Sequence, residues 1–286
     1  MFELALEPLN YAYMRNAIIA SALVGASCAF LSSFLILRGW SLIGDALSHS
    51  VMPGVALAYV FNLSYVFGAF ATGMIATLTM ALMRHLTYLR EDAIIGYVFS
   101  TFLAAGLLII SLYPTSANVQ TILFGNILTI ADSDICQVKW ISIITLIVLI
   151  CIRKDLLAIF FDEIHARSIG LTPLCLKLVF FGLLGISIIV ALKTVGAILV
   201  MSLVVTPGAT AWMITDRFSW LILFSISFGS FTCAIGTWLS YFIDGVTGGV
   251  IVTLQTFLFL VSWLIAPRHG LLAIRRHQRR RFLGKD

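Results

Sequence analysis

The sequence predicts an all-α, polytopic integral membrane protein, because its composition and its long apolar runs both suit a chain that lies in lipid. Of its 286 residues, 60% are hydrophobic and only 11% are charged. Soluble domains average about 45–50% apolar and about 25% charged residues. Since a helix needs about 20 apolar residues to cross a bilayer, the apolar runs predict eight to nine transmembrane helices.

Nine stretches reach or approach the spanning length. They are 15–37, 39–61, 67–83, 93–112, 138–152, 174–192, 196–214, 218–242 and 248–266. The fifth is short enough to be tilted or re-entrant, which gives the lower count of eight. A half-polar connector covers 113–137, and its apolar middle, 121–128, predicts a short interfacial or re-entrant helix. The chain thus divides into a transmembrane domain, 1–270, and a basic tail, 271–286.

The basic residues orient these spans. With the tail placed in the cytoplasm, 15 of the 18 Lys and Arg residues fall on the inner side, and only Arg15, Lys139 and Lys193 remain outside. This bias follows the positive-inside rule and predicts a multi-pass membrane protein with a cytoplasmic C-terminus. The tail is expected to meet anionic membrane lipid, and no nucleic acid is expected as a partner, because no aromatic residues interleave with the basic ones.

Asp45 and His49 form the candidate functional pair. They lie four residues apart within the second apolar stretch, so on a helix they share one face. Ionisable residues are costly in hydrocarbon, and a pair at depth indicates an ion or substrate site. A carboxylate beside an imidazole suits divalent first-row metals. Counted from Gly39 at about 1.5 Å per residue, His49 lies about 15 Å along the span, near the midplane of the bilayer.

Two other interpretations of this pair remain open at the level of the residues. Asp45 could cap a helix that begins at Ala46, with His49 satisfied by a backbone carbonyl or a serine. The pair could also belong to a proton relay. For metal binding, one carboxylate and one imidazole are too few, whereas two copies across a symmetry axis would supply four ligands. Pro53 and Pro207-Gly208 interrupt apolar stretches, which indicates either broken helices beside a transport site or proline kinks with only a packing role.

The amphipathic segment 155–171 is the second candidate feature. Asp162 and Glu163 predict the first turn of a short helix over about 163–169, and Gly170 predicts its C-terminal cap. A short helix between two spans suits a docking role for a partner or a simple interfacial connector. The chain lacks a G-x-x-x-x-G-K-[ST] motif, so it is not expected to bind ATP through a P-loop, and it is not expected to be an enzyme.

Five motifs of the chain carry a family resemblance. They are Gly44-Asp45-Ala46-Leu47-Ser48-His49 with Pro53-Gly54-Val55-Ala56, Arg90-Glu91-Asp92-Ala93-Ile94-Ile95-Gly96, Leu123-Phe124-Gly125-Asn126-Ile127-Leu128, Phe161-Asp162 with Ala166 and Gly170, and Thr206-Pro207-Gly208-Ala209-Thr210-Ala211. Together they resemble the motifs of the ABC-type manganese/iron/zinc permeases. The similarity runs from about residue 8 to 270. It is strongest to the membrane subunits of chelated iron/manganese transport systems of Gram-negative bacteria.

The resemblance implies a permease subunit, in the bacterial inner membrane, of a binding-protein-dependent ABC importer with a type II-like architecture. Its cargo would be Mn²⁺ or Fe²⁺, with Zn²⁺ as a further candidate, and no cofactor would be bound permanently. The partners would be an ABC ATPase subunit, an extracytoplasmic metal-binding protein and a second, identical or related permease chain. The resemblance assigns metal coordination to Asp45 and His49, and ATPase coupling to Asp162, Glu163, Ala166 and Gly170. The alternative is an ATPase-independent, proton-coupled secondary metal carrier.

Overall fold

The computed structural model describes residues 7–63, 65–113 and 132–266, and these residues form helices joined by short connectors without a strand. The helices are α1 (Ala12–Arg38), α2 (Ser41–Ser50), α3 (Met52–Val60), α4 (Tyr65–Leu86), α5 (Glu91–Leu112), α6 (Asp132–Phe161), α7 (Glu163–Ser168), α8 (Pro173–Val195), α9 (Ala197–Ile214), α10 (Phe218–Ile243) and α11 (Thr247–Ile265). The predicted helix at 121–128 and the basic tail, 271–286, lie outside the described residues.

The predicted all-α membrane architecture is confirmed. Within the described part of the chain, six helices are long and apolar enough to cross a membrane: α1, α5, α6, α8, α10 and α11. Two shorter apolar segments, Phe67–Met80 and Val200–Ile214, lie in α4 and α9. With the α2–α3 pair, these elements coincide with the nine predicted stretches.

The fifth stretch differs from the prediction of a short, tilted or re-entrant span. Helix α6 has 30 residues and extends beyond the apolar stretch 138–152 at both ends. The extensions carry charged residues, Asp134 at one end and Arg153 and Lys154 at the other. A helix continues through such residues because its backbone hydrogen bonds do not depend on side-chain hydropathy, whereas the apolar window ends there.

Helix α1 lies at the centre of the bundle. In the most apolar part of α1, 78% of the residues are buried, whereas in the most apolar part of α11 only 17% are buried. It packs against α6, α8, α9 and α10. Its contact with α10 is close, since a Cβ added to Gly25 would lie only 2.4 Å from the carbonyl oxygen of Gly229. Small residues at such crossings allow helix backbones to approach each other in lipid.

The expected interruption at Pro207 is not a break in the helix, because α9 continues through it. The Ser32 hydroxyl of α1 makes two hydrogen bonds to the backbone of α9 at this point. It accepts a hydrogen bond from the Gly208 N–H at 3.0 Å and donates one to the Val205 carbonyl at 3.1 Å. A neighbouring hydroxyl thus bonds backbone groups on both sides of the proline, as serine side chains do in membrane helices that contain proline.

The second apolar stretch is broken, as Pro53 predicts. Helix α2 ends at Ser50, α3 begins at Met52, and Val51 joins the two. Both helices pack against α4 and α5. The support from α5 is tight, because a Cβ added to Gly106 would lie 3.0 Å from the Pro53 nitrogen. The broken stretch is therefore held by its neighbours on both sides of the break.

Candidate functional site

A tight turn at Gly39 and Trp40 sets where α2 begins. Gly39 has a φ of 70°, which favours glycine, and the Trp40 N–H donates to the Leu35 carbonyl at 2.8 Å. Helix α2 starts at Ser41 with Trp40 as its N-cap residue. Asp45 is consequently the fifth residue of the helix, so the alternative that it caps a helix beginning at Ala46 is wrong.

His49 is the ninth residue of α2, and positions 45 and 49 lie on one face of the helix. The imidazole is partly buried and stands edge-on against the Phe99 ring of α5, with 5.0 Å between ring centroids and an interplanar angle of 83°. This aromatic contact restricts the orientation of the imidazole. Phe99 was not predicted as a neighbour of His49, because a single aromatic residue in an apolar span gives no local signal of such a contact.

The serines that flank His49 serve the helix itself. Ser48 and Ser50 are fully buried, and their hydroxyls donate to the Gly44 and Ala46 carbonyls at 2.7 and 2.6 Å. Each bond returns to the preceding turn, as hydroxyls in helix interiors commonly do. Because these two hydroxyls bond within the helix, Asp45 and His49 remain the candidate ligands on α2.

The end of α2 lies directly behind His49. Pro53 follows His49 by four residues and has no N–H to donate to the His49 carbonyl. The Val51 N–H is directed towards this carbonyl instead. At the other end of the helix, Gly44 lies against α9, because a Cβ added there would lie 2.9 Å from Val204 Cγ1. The pair therefore sits on a short helix that its neighbours position closely.

The candidate metal site of one chain provides few ligands. Among the residues that the structure describes, no three His, Cys, Asp or Glu side chains come together. The Asp45–His49 pair offers two ligands, whereas structural Zn²⁺ takes four and Mn²⁺ prefers six. The pair suits one half of a metal site, and its role as a ligand set stays a prediction.

Helix α7 agrees closely with the helix predicted over about 163–169. It spans Glu163–Ser168, and Asp162 caps it by accepting from the Ile164 and His165 N–H groups at 2.9 and 3.0 Å. Gly170 follows with a φ of 84°. The N–H groups of Gly170 and Leu171 donate back into the last turn, both at 3.1 Å. This is a Schellman motif, which ends the helix at a defined residue.

Glu163 joins α7 to the next long helix. Its carboxylate lies 2.9 Å from the Arg167 guanidinium on the same helix and 2.5 Å from the Lys177 ammonium on α8. The hydrogen bond from Lys177, supported by Arg167, lowers the pKa of Glu163. The ion pair therefore forms fully at neutral pH and is lost as the pH falls through this lowered pKa. Ala166 is fully buried and faces the bundle.

Two large apolar side chains near α7 are exposed. Ile164 is 83% exposed and Phe161 is 67% exposed, on either side of the Asp162 cap. Exposed apolar groups beside a polar rim are typical of docking surfaces. The coupling residues predicted from the sequence are the polar and small residues of this segment. They do not include Ile164 or Phe161, although Phe161 belongs to one of the motifs of the resemblance.

Comparison with protein families identifies the chain. Residues 10–266 match the model of the ABC 3 transport family. The chain belongs to this family. The match includes the whole of α1 to α11, and therefore both the α2–α3 break and α7.

Individual relatives of this ABC 3 family chain match over nearly its full length. It is 62% identical over 275 residues to the chelated iron transport system membrane protein YfeC of Yersinia pestis, covering 96% of this chain and 94% of that protein. It is 44% identical over 267 residues to the manganese transport system membrane protein MntB of Synechocystis sp., covering 93% and 87%. The solved structure of PsaBC from Streptococcus pneumoniae in complex with Fab superposes with a TM-score of 0.85 at 31% identity, covering 96% of this chain and 100% of that chain.

Proposed function

We propose that this chain is the membrane-spanning permease subunit of a binding-protein-dependent ABC importer that moves Mn²⁺ or Fe²⁺, with Zn²⁺ as a further candidate, into the cytoplasm. The observation that carries the proposal is the Asp45–His49 pair on a short, closely packed helix that ends at a break within an ABC 3 family chain. The printed names of relatives at 62% and 44% identity refer to iron and manganese. Oxygen and imidazole ligands suit these ions.

The metal site requires a second permease chain in this proposal. Asp45 and His49 supply two ligands, and the same pair from a facing protomer brings the number to four, which a first-row divalent metal accepts. The metal would be released by an extracytoplasmic metal-binding protein, lose part of its water shell and bind transiently between the two α2 helices. The chain supplies the ligands and the scaffold, and a separate ABC ATPase hydrolyses the ATP.

The charge bias supports a cytoplasmic position for α7, from which an ATPase could reach it. With the C-terminus inside, 15 of the 18 Lys and Arg residues lie on the cytoplasmic side, including Arg167 and Lys177 around α7. The exposed Phe161 and Ile164 side chains are the proposed apolar contacts with the ATPase. Asp162 and Gly170 fix the ends of the docking helix, and the buried Ala166 lets it lie close to the bundle.

Transport assays test the function as a whole. The chain, its ATPase and its metal-binding protein are reconstituted in liposomes, and uptake of ⁵⁴Mn²⁺ is measured with and without ATP and with competing Fe²⁺ or Zn²⁺. We expect uptake that requires both ATP and the ATPase. Uptake by liposomes that lack the ATPase, abolished by a protonophore, would instead establish the proton-coupled carrier. The competition ranks the three metals.

Substitution of the exposed apolar residues tests the docking surface. Ile164→Glu combined with Phe161→Ser should reduce co-purification of the ATPase by about tenfold or more, because truncated interface anchors typically cost about 2 kcal/mol or more. Both side chains are exposed in the chain alone, so membrane insertion should be normal. Tyr88→Glu, at a fully exposed site between α4 and α5, is the matched control and should retain the ATPase. Undiminished co-purification of the double variant would rule out this surface.

A further inference from the structure

We propose that Trp40 and the Glu163–Lys177 ion pair form the mechanical connection between helix α7 and helix α2, so that a shift of α7 on the ATPase displaces the Asp45–His49 pair. The inference rests on the proposed function and names the residues that would transmit its conformational step. These are positioning residues, since they lie outside the metal site and act through the helices that they join.

The first joint connects α7 to α8. The Glu163 carboxylate uses one oxygen for Arg167 within α7 and the other for Lys177 on α8. Both partners of the second contact are partly shielded, with the Lys177 side chain 20% exposed and that of Glu163 32% exposed. Partial burial makes an ion pair less sensitive to screening than one in open solvent. Helix α7 also packs on α6 and α8, so these helices follow its movement.

The second joint connects α8 and α6 to the start of α2. The Trp40 indole stacks on Phe181 of α8, with 5.7 Å between centroids and an interplanar angle of 24°. It meets Phe160 of α6 edge-on at 5.5 Å and 77°. Trp40 is only 3% exposed, so a movement of either ring displaces the indole. Closely packed interiors transmit such displacements because they contain few voids.

The two joints are adjacent on α8. Lys177 and Phe181 are four residues apart and thus lie on one face of that helix, one turn from each other. Phe160 precedes the Asp162 cap of α7 by two residues. The indole therefore contacts both helices that flank α7. The contact on α6 lies three residues before α7, and the contact on α8 lies about one helical turn from Lys177.

Trp40 transfers the displacement to the metal pair because it is the residue immediately before α2. His49 follows it by nine residues, which corresponds to about 14 Å along the helix axis at about 1.5 Å per residue. A short helix moves largely as a rigid body, so displacement at Trp40 moves Asp45 and His49 with it. The interruption at Val51 lies beyond both residues.

The experiment compares transport with ATP hydrolysis in the complete reconstituted complex. Lys177→Met and Trp40→Leu are expected to retain the ATPase on co-purification and to hydrolyse ATP, but to transport at least about fivefold less Mn²⁺ per ATP, in the range of typical coupling energies. Trp40→Phe, which keeps an aromatic ring, and the charge exchange Glu163→Lys with Lys177→Glu should restore most of the ratio. Lys154→Met, at an exposed cation on α6, and Trp220→Leu, at a half-exposed tryptophan on α10, are matched controls.

The measured ratio of Mn²⁺ to ATP in these variants either supports or overturns the proposed connection. A normal ratio of Mn²⁺ to ATP in both Lys177→Met and Trp40→Leu would overturn the proposal, as would a loss that merely parallels loss of the bound ATPase. If Trp40→Leu does not fold, the Lys177→Met variant and its charge exchange still give the decisive ratio. Failure of the proposed function is separate, because the unmodified complex would then show no ATP-dependent Mn²⁺ uptake.

Discussion

Replacing His49 with alanine or Asp45 with asparagine is expected to lower ATP-dependent metal uptake at least about tenfold, and the double variant to abolish it. Loss even of outer-sphere partners of metal ligands typically costs about 10–100-fold, so loss of a ligand should cost no less. In a dimer of identical chains, one substitution removes two of the four proposed ligands. Uptake of ⁵⁴Mn²⁺ into liposomes that contain the complete complex measures the effect.

A neighbouring residue provides the control for this prediction. Ser48 is buried beside His49, and its hydroxyl bonds only within the helix, to the Gly44 carbonyl. Ser48→Ala should therefore keep uptake close to that of the unmodified chain. Variants at Asp45 and His49 that insert normally and still transport at the full rate would remove both residues from the metal site, and attention would turn to backbone oxygens at the break after His49.

The second large effect is expected from the glycine contact that holds α3 on α4. A Cβ added to Gly54 would lie 2.1 Å from the Gly68 carbonyl oxygen, and one added to Gly68 would lie 2.3 Å from that of Gly54. Backbone atoms cannot yield as a flexible side chain does, so Gly54→Val should separate the two helices. Overpacking by a few methyl groups typically costs about 1–3 kcal/mol, and a backbone clash should cost at least as much. We expect little folded protein and a lower Tm.

Size-exclusion profiles and thermal melting in detergent measure this loss. Gly185→Val is the matched control, because a Cβ added at that mid-helix position of α8 meets nothing within 4 Å. It should leave the profile and the Tm nearly unchanged. An equal Tm for the Gly54 and Gly185 variants would show that the helices do not approach as closely as the structure indicates.

Local patterns were sufficient for much of the architecture. Apolar runs predict the spans because lipid excludes polar side chains, and the structure has a helix at each of the nine stretches. The cap and stop signals of α7 also act locally, so Asp162 and Gly170 could be placed from sequence alone. The predictions that failed concern the ends of α6 and the continuation of α9 through Pro207, which local hydropathy and proline content alone do not decide. Helix α6 continues through charged residues, and Pro207 is accommodated by Ser32 on a distant helix.

The candidate site shows the same division. The spacing of Asp45 and His49 predicts that they share a helix face, and this needs only the helical period. Whether α2 begins before Asp45 is decided by the turn at Gly39 and by the burial of Trp40, which depends on contacts with α6 and α8. Phe99 was likewise invisible in the sequence, because its contact with His49 joins two separate helices.

The sequence by itself determined that this chain is a helical membrane protein, which stretches cross the bilayer, and that a carboxylate and an imidazole share one helix face. These properties follow from hydropathy and from the period of the helix, and both are local. Only the tertiary structure decided that Trp40 lies between Phe160 and Phe181 and that Glu163 reaches Lys177. The Trp40 contacts join residues 120 or more positions apart, and the ion pair joins two different helices. The packing of whole helices selects such partners, and no local pattern encodes it.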